Sequence, residues 1–202
     1  MGSHHRCPPR HLRRCVRRVR RAPVAGHACR AGGRDDRGVT AADPPAVDAT
    51  VAAALAELDV DHHRREPGQF LVTLPGTNRL QTHCWLLVRE HALFVQAFVC
   101  RQPDEAHDAV YRFLLQRNAR LYGVHYALDR VGDIHLIGRI GLHAVTADEL
   151  DRVLGQVLEA ADGDFNTLLE LGFVTSIRRE HAWRQDRGES LANLRAFEHL
   201  FT

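Results

Sequence analysis

No lysine occurs in this chain; all 27 of its basic residues are arginine. That bias reads as the mark of GC-rich coding, since no single chemistry asks for arginine at every basic position. An apolar run of about 18 residues, the length a membrane-crossing helix needs, is also missing, so no membrane span is expected. The five cysteines follow neither a zinc spacing nor a disulfide framework, and neither CxxC nor HExxH occurs. The chain therefore announces no metal, no cofactor and no catalytic residue. Only Cys84 and Cys100 fall in the folded part, where isolated thiols suit a reducing, cytoplasmic setting.

What is present is unevenly distributed. Residues 1–43 hold 11 arginines against 3 acids, and residues 44–202 hold 16 arginines against 22 acids. The sign of the charge reverses at Pro44 and Pro45. The first segment is made mostly of Arg, Ala, Gly, Pro and His, with too little apolar surface to offset the entropy of folding, and a disordered tail is expected there. Within it, HLRRCVRRVRRA sets Leu12, Val16 and Val19 at helical spacing. A short basic helix against nucleic acid or anionic lipid and an unselected extension both remain open readings. The apolar stretch that a twin-arginine export signal requires does not follow the paired arginines.

Residues 44–202 read as one domain. Val47, Val51, Ala54, Leu55 and Leu58 share a helical face, with Asp48 placed to suit the helix dipole. QFLVTLP reads as a short strand, and LQTHCWLLVR and ALFVQAFVC as two longer ones joined by a tight turn at Glu90 and His91. Pro103 opens the next helix, with Asp104, Glu105 and Asp108 in its first turns and Asp108 in reach of Arg112. Val110, Leu114 and Leu121 form its apolar stripe, on which Asn118 is out of place and calls for a structural tether. VHYALD and DIHLIGRI form a second hairpin. Thr146 and Glu149 form a capping box for a helix that breaks at Asp162 and Gly163, FNTLLELGF makes another, and a last helix starts near Ser190. The order α-β-β-β-α-β-β-α, with an extra C-terminal helix, predicts an α+β fold: an antiparallel five-stranded sheet with helices packed on one face.

Strand alternation divides the sheet into two faces. Leu80, Thr82, Cys84, Leu86 and Val88, then Leu93, Val95, Ala97 and Val99, then Val124, Tyr126 and Leu128, then Ile134, Leu136 and Ile140 belong to the core side. The opposite side carries Trp85, Leu87, Phe94, Phe98 and Ile137 among Gln81, His83, Gln96, His125, His135 and Arg139. It is too apolar for plain solvent and too polar for a closed core. Those five large side chains are the candidate partner-binding residues, unless a further helix covers the face.

Other chemistries have weaker signatures. His83, His125 and His135 can approach one another on that face, yet no carboxylate or cysteine pattern completes a metal site. Cys84 and His83 are adjacent on a strand and point to opposite faces, so they cannot act as nucleophile and base. The glycines of VGDIHLIGRIG lack the spacing of a nucleotide loop. WRQDRGE, with Trp183, Arg184, Arg187, Gly188 and Glu189, reads as a joint between helices in which Arg and carboxylate pair across a turn.

Several long motifs carry a resemblance. LVTLPG, PDEAHDAVYRFLLQRN, DRVGDIHLIGRI, AVTADELDRVLGQVLEAADGDFNTLLELGF and AWRQDRGESLANLRAF, in this order over about residues 45–202, resemble the YbjN family of bacterial proteins, described as sensory transduction regulators and similar in fold to type III secretion chaperones. The resemblance implies a non-enzymatic regulator or chaperone-like adaptor that binds a protein partner or pairs with itself through the sheet face. The alternative from another class is a nucleic-acid-associated regulator working through the arginine-rich tail, with salt-sensitive binding.

Overall fold

In chain order the elements are α1 (Pro44–Glu57), β1 (Asp61–Glu66), β2 (Gln69–Pro75), β3 (Gln81–Val88), β4 (Ala92–Cys100), α2 (His107–Asn118), β5 (Val124–Leu128), β6 (Ile134–Gly141), α3 (Ala147–Gly163), α4 (Phe165–Gly172) and α5 (Val174–Asp186). Two 3-10 segments, Leu142–Ala144 and Ala192–Leu200, complete the set among the described residues. This computed structural model describes residues 43–201. The arginine-rich tail anticipated for residues 1–43, with its short basic helix, therefore lies outside the described residues except for Asp43.

The fold is α+β, as anticipated, but its antiparallel sheet has six strands rather than five, in the order β1-β2-β3-β4-β6-β5. The extra strand is DHHRRE, in which no apolar alternation exists to be read. Its place is set by backbone pairing with β2 across the Pro67-Gly68 turn, from Asp61 opposite Thr73 to Glu66 opposite Gln69. Gly68 has φ +73°, which a glycine adopts without the steric cost of a Cβ. Charged side chains on an outer strand also discourage pairing with other chains.

Asp48 does more than complement a dipole. It lies buried on α1, accepts a hydrogen bond from the Gly68 N–H at 2.7 Å and pairs with Arg64 of β1. The polar hairpin is thus fastened to the helix by one carboxylate whose hydrogen-bonding needs are met inside the protein.

Most of the core lies between the sheet and its helices. α1 packs on α3 and β3, α3 reaches β3, β4 and β5, and α2 lies against β5 and α4. Val51 and Leu55 of α1, Leu150, Val153 and Val157 of α3, Phe70 and Val72 of β2, Leu86 of β3, Val95 of β4 and Leu136 of β6 are all fully buried. Each such side chain stabilises the fold by about 1.5–3 kcal/mol relative to exposure, so this layer holds the molecule together.

Two residues assigned to the core side are not in it. Leu80 is 89% exposed because the strand begins only at Gln81, and Leu128 is 45% exposed at the far end of the outer strand β5. The loop before β3 is held elsewhere: Asp162 of α3 accepts the N–H groups of Asn78 and Arg79, both at 2.9 Å. Burial works against ionisation of Asp162, yet the backbone N–H groups of Arg79, Thr77 and Asn78 hold its carboxyl below the usual range.

Element ends also differ from expectation. α2 starts at His107, not near Pro103, and Asp108 and Arg112 do not pair. Glu105 instead accepts the N–H of Thr175 at 2.7 Å, satisfying an orphan donor in the first turn of α5. Thr146 caps α3 by accepting the Glu149 N–H at 3.2 Å, but the Glu149 carboxylate turns away to the Tyr122 hydroxyl, so only half of the box forms. α3 runs through Gly163 before handing over to α4 at Asp164, and the anticipated last helix is the 3-10 segment from Ala192.

Candidate functional site: the sheet face away from the helices

Strand register builds the second face row by row. Glu66, Gln69, Leu87, Phe94 and Arg139 oppose one another in succession across five strands. The neighbouring row is His63, Leu71, Trp85, Gln96, Ile137 and His125, across all six. Beyond it lie Asp61, Thr73 and His83 on one side, and Phe98, His135 and Ala127 on the other.

Trp85, Leu87, Phe94, Phe98 and Ile137 are half-buried, whereas the residues alternating with them, such as Cys84, Leu86, Leu93, Val95 and Leu136, are fully buried. The difference is that of a sheet with helices on one side and no described layer on the other. The large side chains shield one another instead. The Arg139 guanidinium stands over the Phe94 ring at 5.0 Å, and Phe98 meets His135 edge-on with ring centroids 5.4 Å apart.

The structure brings the five anticipated residues together on three adjacent strands, β3, β4 and β6. Sequence reasoning missed the contribution of β2 and β1. Gln69, Leu71 and Thr73 alternate with the buried Phe70, Val72 and Leu74, a period-two pattern legible in QFLVTLP. No such signal marks His63, Asp61 or Glu66.

Electrostatically the face is sparse. Its middle carries only histidines, glutamines and Arg139, and acids appear at the β1 margin. Burial pushes the His135 pKa down, against the opposing pull of Asp129 and Asp133. Its Nδ1 is buried with no hydrogen-bond partner, while Nε2 lies 3.7 Å from Asp129.

Elsewhere the polar residues singled out in the sequence serve the fold. Cys84 is buried, and burial pushes its thiol up to about 12, the behaviour of a small core hydrophobe rather than a nucleophile. Among the described residues no three His, Cys, Asp or Glu side chains gather as a metal site, and no helix is long and apolar enough to cross a membrane. The Val131–Gly132 turn is closed by Asp129, which accepts the N–H groups of Val131 and Asp133, both at 2.9 Å.

Asn118 is a tether, to the backbone of Tyr126. The Tyr126 hydroxyl lies 2.8 Å from Asp164, which also accepts from Arg117 at 2.7 Å. In the WRQDRGE joint, Arg184 is buried and donates to Glu180 and to the Ser190 carbonyl, with Glu189 at 3.7 Å across the turn, while Arg187 lies over Trp183. A shallow cleft between α2 and α3 is lined by Arg117, Arg120, Arg152 and Glu159, but Arg117 and Arg152 already hold carboxylates.

The sequence profile of the YbjN family, whose description reads "Putative bacterial sensory transduction regulator", matches residues 48–170. An uncharacterized protein of Mycobacterium tuberculosis is 57% identical over 152 residues, covering 74% of this chain and 83% of its own. Another, of Mycobacterium leprae, is 61% identical over 132 residues, covering 65% and 72%. Solved structures that match include the Yersinia pestis type III secretion chaperone SycH with a fragment of YscM2, at TM-score 0.45 and 18% identity over 57% of this chain and 96% of that one. The ExoU–SpcU heterodimer of Pseudomonas aeruginosa matches at TM-score 0.45 and 17% identity, over 60% and 96%.

Proposed function

The chain belongs to the YbjN family, and we propose that it acts as a protein-binding adaptor or regulator whose docking surface is the sheet face centred on Trp85, Leu87, Phe94, Phe98 and Ile137. One observation carries this reading: five large apolar side chains lie side by side on three adjacent strands, half-buried, with no described layer over them. Contiguous apolar surface of that kind is costly to leave in water, and aromatic anchors surrounded by polar groups are what protein interfaces use. The flanking Gln96, His83 and His125 supply hydrogen-bond donors and acceptors for orientation, and Arg139 adds one fixed positive charge.

The outer strands support the face rather than the edges as the docking surface. β1 is lined by charged side chains, and the outward backbone groups of Tyr126 on β5 are occupied by Asn118. Strand addition at either margin is therefore disfavoured.

The test is a cross-linking recovery experiment on the full chain, comparing wild type with Phe98→Glu and Trp85→Glu after circular dichroism has verified folding. A partner, or a second copy, recovered with the wild type and lost with both variants is the expected outcome. Equal recovery by all three removes this face from consideration.

A further inference from the structure

Resting on the reading of this face as a protein-binding surface, we propose that its occupant is a second copy of the same chain, docked sheet on sheet about a two-fold axis parallel to the strands. The carrier is the row Glu66, Gln69, Leu87, Phe94, Arg139, which runs from an acid at one margin through an apolar middle to a base near the other. Four strand spacings of about 4.8 Å separate its ends, roughly 19 Å in all.

Each end is half of an ion pair. Glu66 is exposed, touches only the Gln69 amide at 2.9 Å, and has no cationic partner among the described residues. Arg139 is exposed over the Phe94 ring and has no carboxylate partner among the described residues.

A two-fold axis along the strands superposes every row on its own reverse. With the axis on β3, Glu66 of one copy meets Arg139 of the other, twice by symmetry, while Leu87 meets its own copy at the centre and Phe94 packs over Gln69. In the next row the same axis sets Trp85 on its own copy, Leu71 on Gln96 and His63 on Ile137. The other in-plane axis, across the strands, sets β1 on β1, placing the acids Asp61 and Glu66 over one another and leaving Arg139 without an acid. Charge complementarity thus selects the first arrangement, the self-complementary kind that closed dimers require. Packed sheets about 10 Å apart leave room for the aromatic side chains to interdigitate.

Sedimentation equilibrium of the full chain tests it with wild type, Glu66→Arg, Arg139→Glu and the double exchange. The expected result is a wild-type dimer, at least about a tenfold rise in Kd for each single variant, and recovery in the double exchange. Glu66 sits at an exposed margin, so its variant reports even if Arg139→Glu disturbs the fold. A monomeric wild type overturns the proposal, as does a dimer indifferent to both single changes or a double exchange no tighter than either. If the wild type is monomeric yet Phe98→Glu and Trp85→Glu still lose a different protein partner, the self-association falls and the broader reading stands. If no partner depends on the face either, both fall.

Discussion

Asn118, the last residue of α2, completes the backbone hydrogen bonding of Tyr126 on the outer strand β5. Its side-chain oxygen accepts the Tyr126 N–H at 2.7 Å, and its side-chain nitrogen donates to the Tyr126 carbonyl at 3.2 Å. One amide thus stands where a seventh strand would begin. Asn118→Ala returns both groups to solvent and is expected to lower stability by about 1–2 kcal/mol. Urea denaturation checks this, and an unchanged midpoint would show that water replaces the amide at no cost.

Asp164 joins three elements, since Arg117 of α2 and Tyr126 of β5 both reach it at the junction of α3 and α4. The Tyr126 hydroxyl is also 2.9 Å from the Ala160 carbonyl, so its single proton has two acceptors. Burial first, and then the Asp164 carboxylate, push the Tyr126 pKa upward, which keeps the phenol a donor. Asp164→Ala leaves the partly buried Arg117 guanidinium with Glu159 alone and removes an acceptor of the Tyr126 hydroxyl, and is expected to cost about 2–3 kcal/mol, whereas Tyr126→Phe, which retains the ring, costs about 1 kcal/mol. Calorimetry that ranks the two variants in the opposite order would contradict this account.

His135 makes stability depend on pH in a defined direction. Burial lowers its folded pKa below the unfolded value, so in the window between the two the unfolded chain binds the proton that the folded chain refuses. Stability then rises with pH across that window and is lost as pH falls through it. Comparing wild type with His135→Gln by denaturation at pH 7.5 and pH 5 should show a smaller loss in the variant. Parallel pH curves would assign the acid sensitivity to other groups.

The face residues on β3, β4 and β6 were legible because their strands alternate without interruption. Trp85, Leu87, Phe94, Phe98 and Ile137 fell on one side by period-two counting alone, and the buried side chains between them complete the pattern. β1 was not legible, because hydrogen bonding and the Asp48 anchor set its place, and neither leaves an apolar mark in DHHRRE. Leu80 misled for the converse reason. It continues the alternation of β3 in sequence, but the loop preceding that strand is drawn to Asp162, and the strand starts one residue later. Asp104 and Glu105 stand in sequence where first-turn acids of α2 belong, yet they bond forward to α5, a tertiary partner that local pattern cannot supply.

Asp162 and Asp164, two residues apart where α3 gives way to α4, hold opposite things. One grips the loop that leads into the central strand β3, and the other grips α2 and the outer strand β5. Fraying of that helix junction releases both grips at once. The 77–79 loop and the Tyr126 edge, although far apart in sequence, therefore share one point of opening.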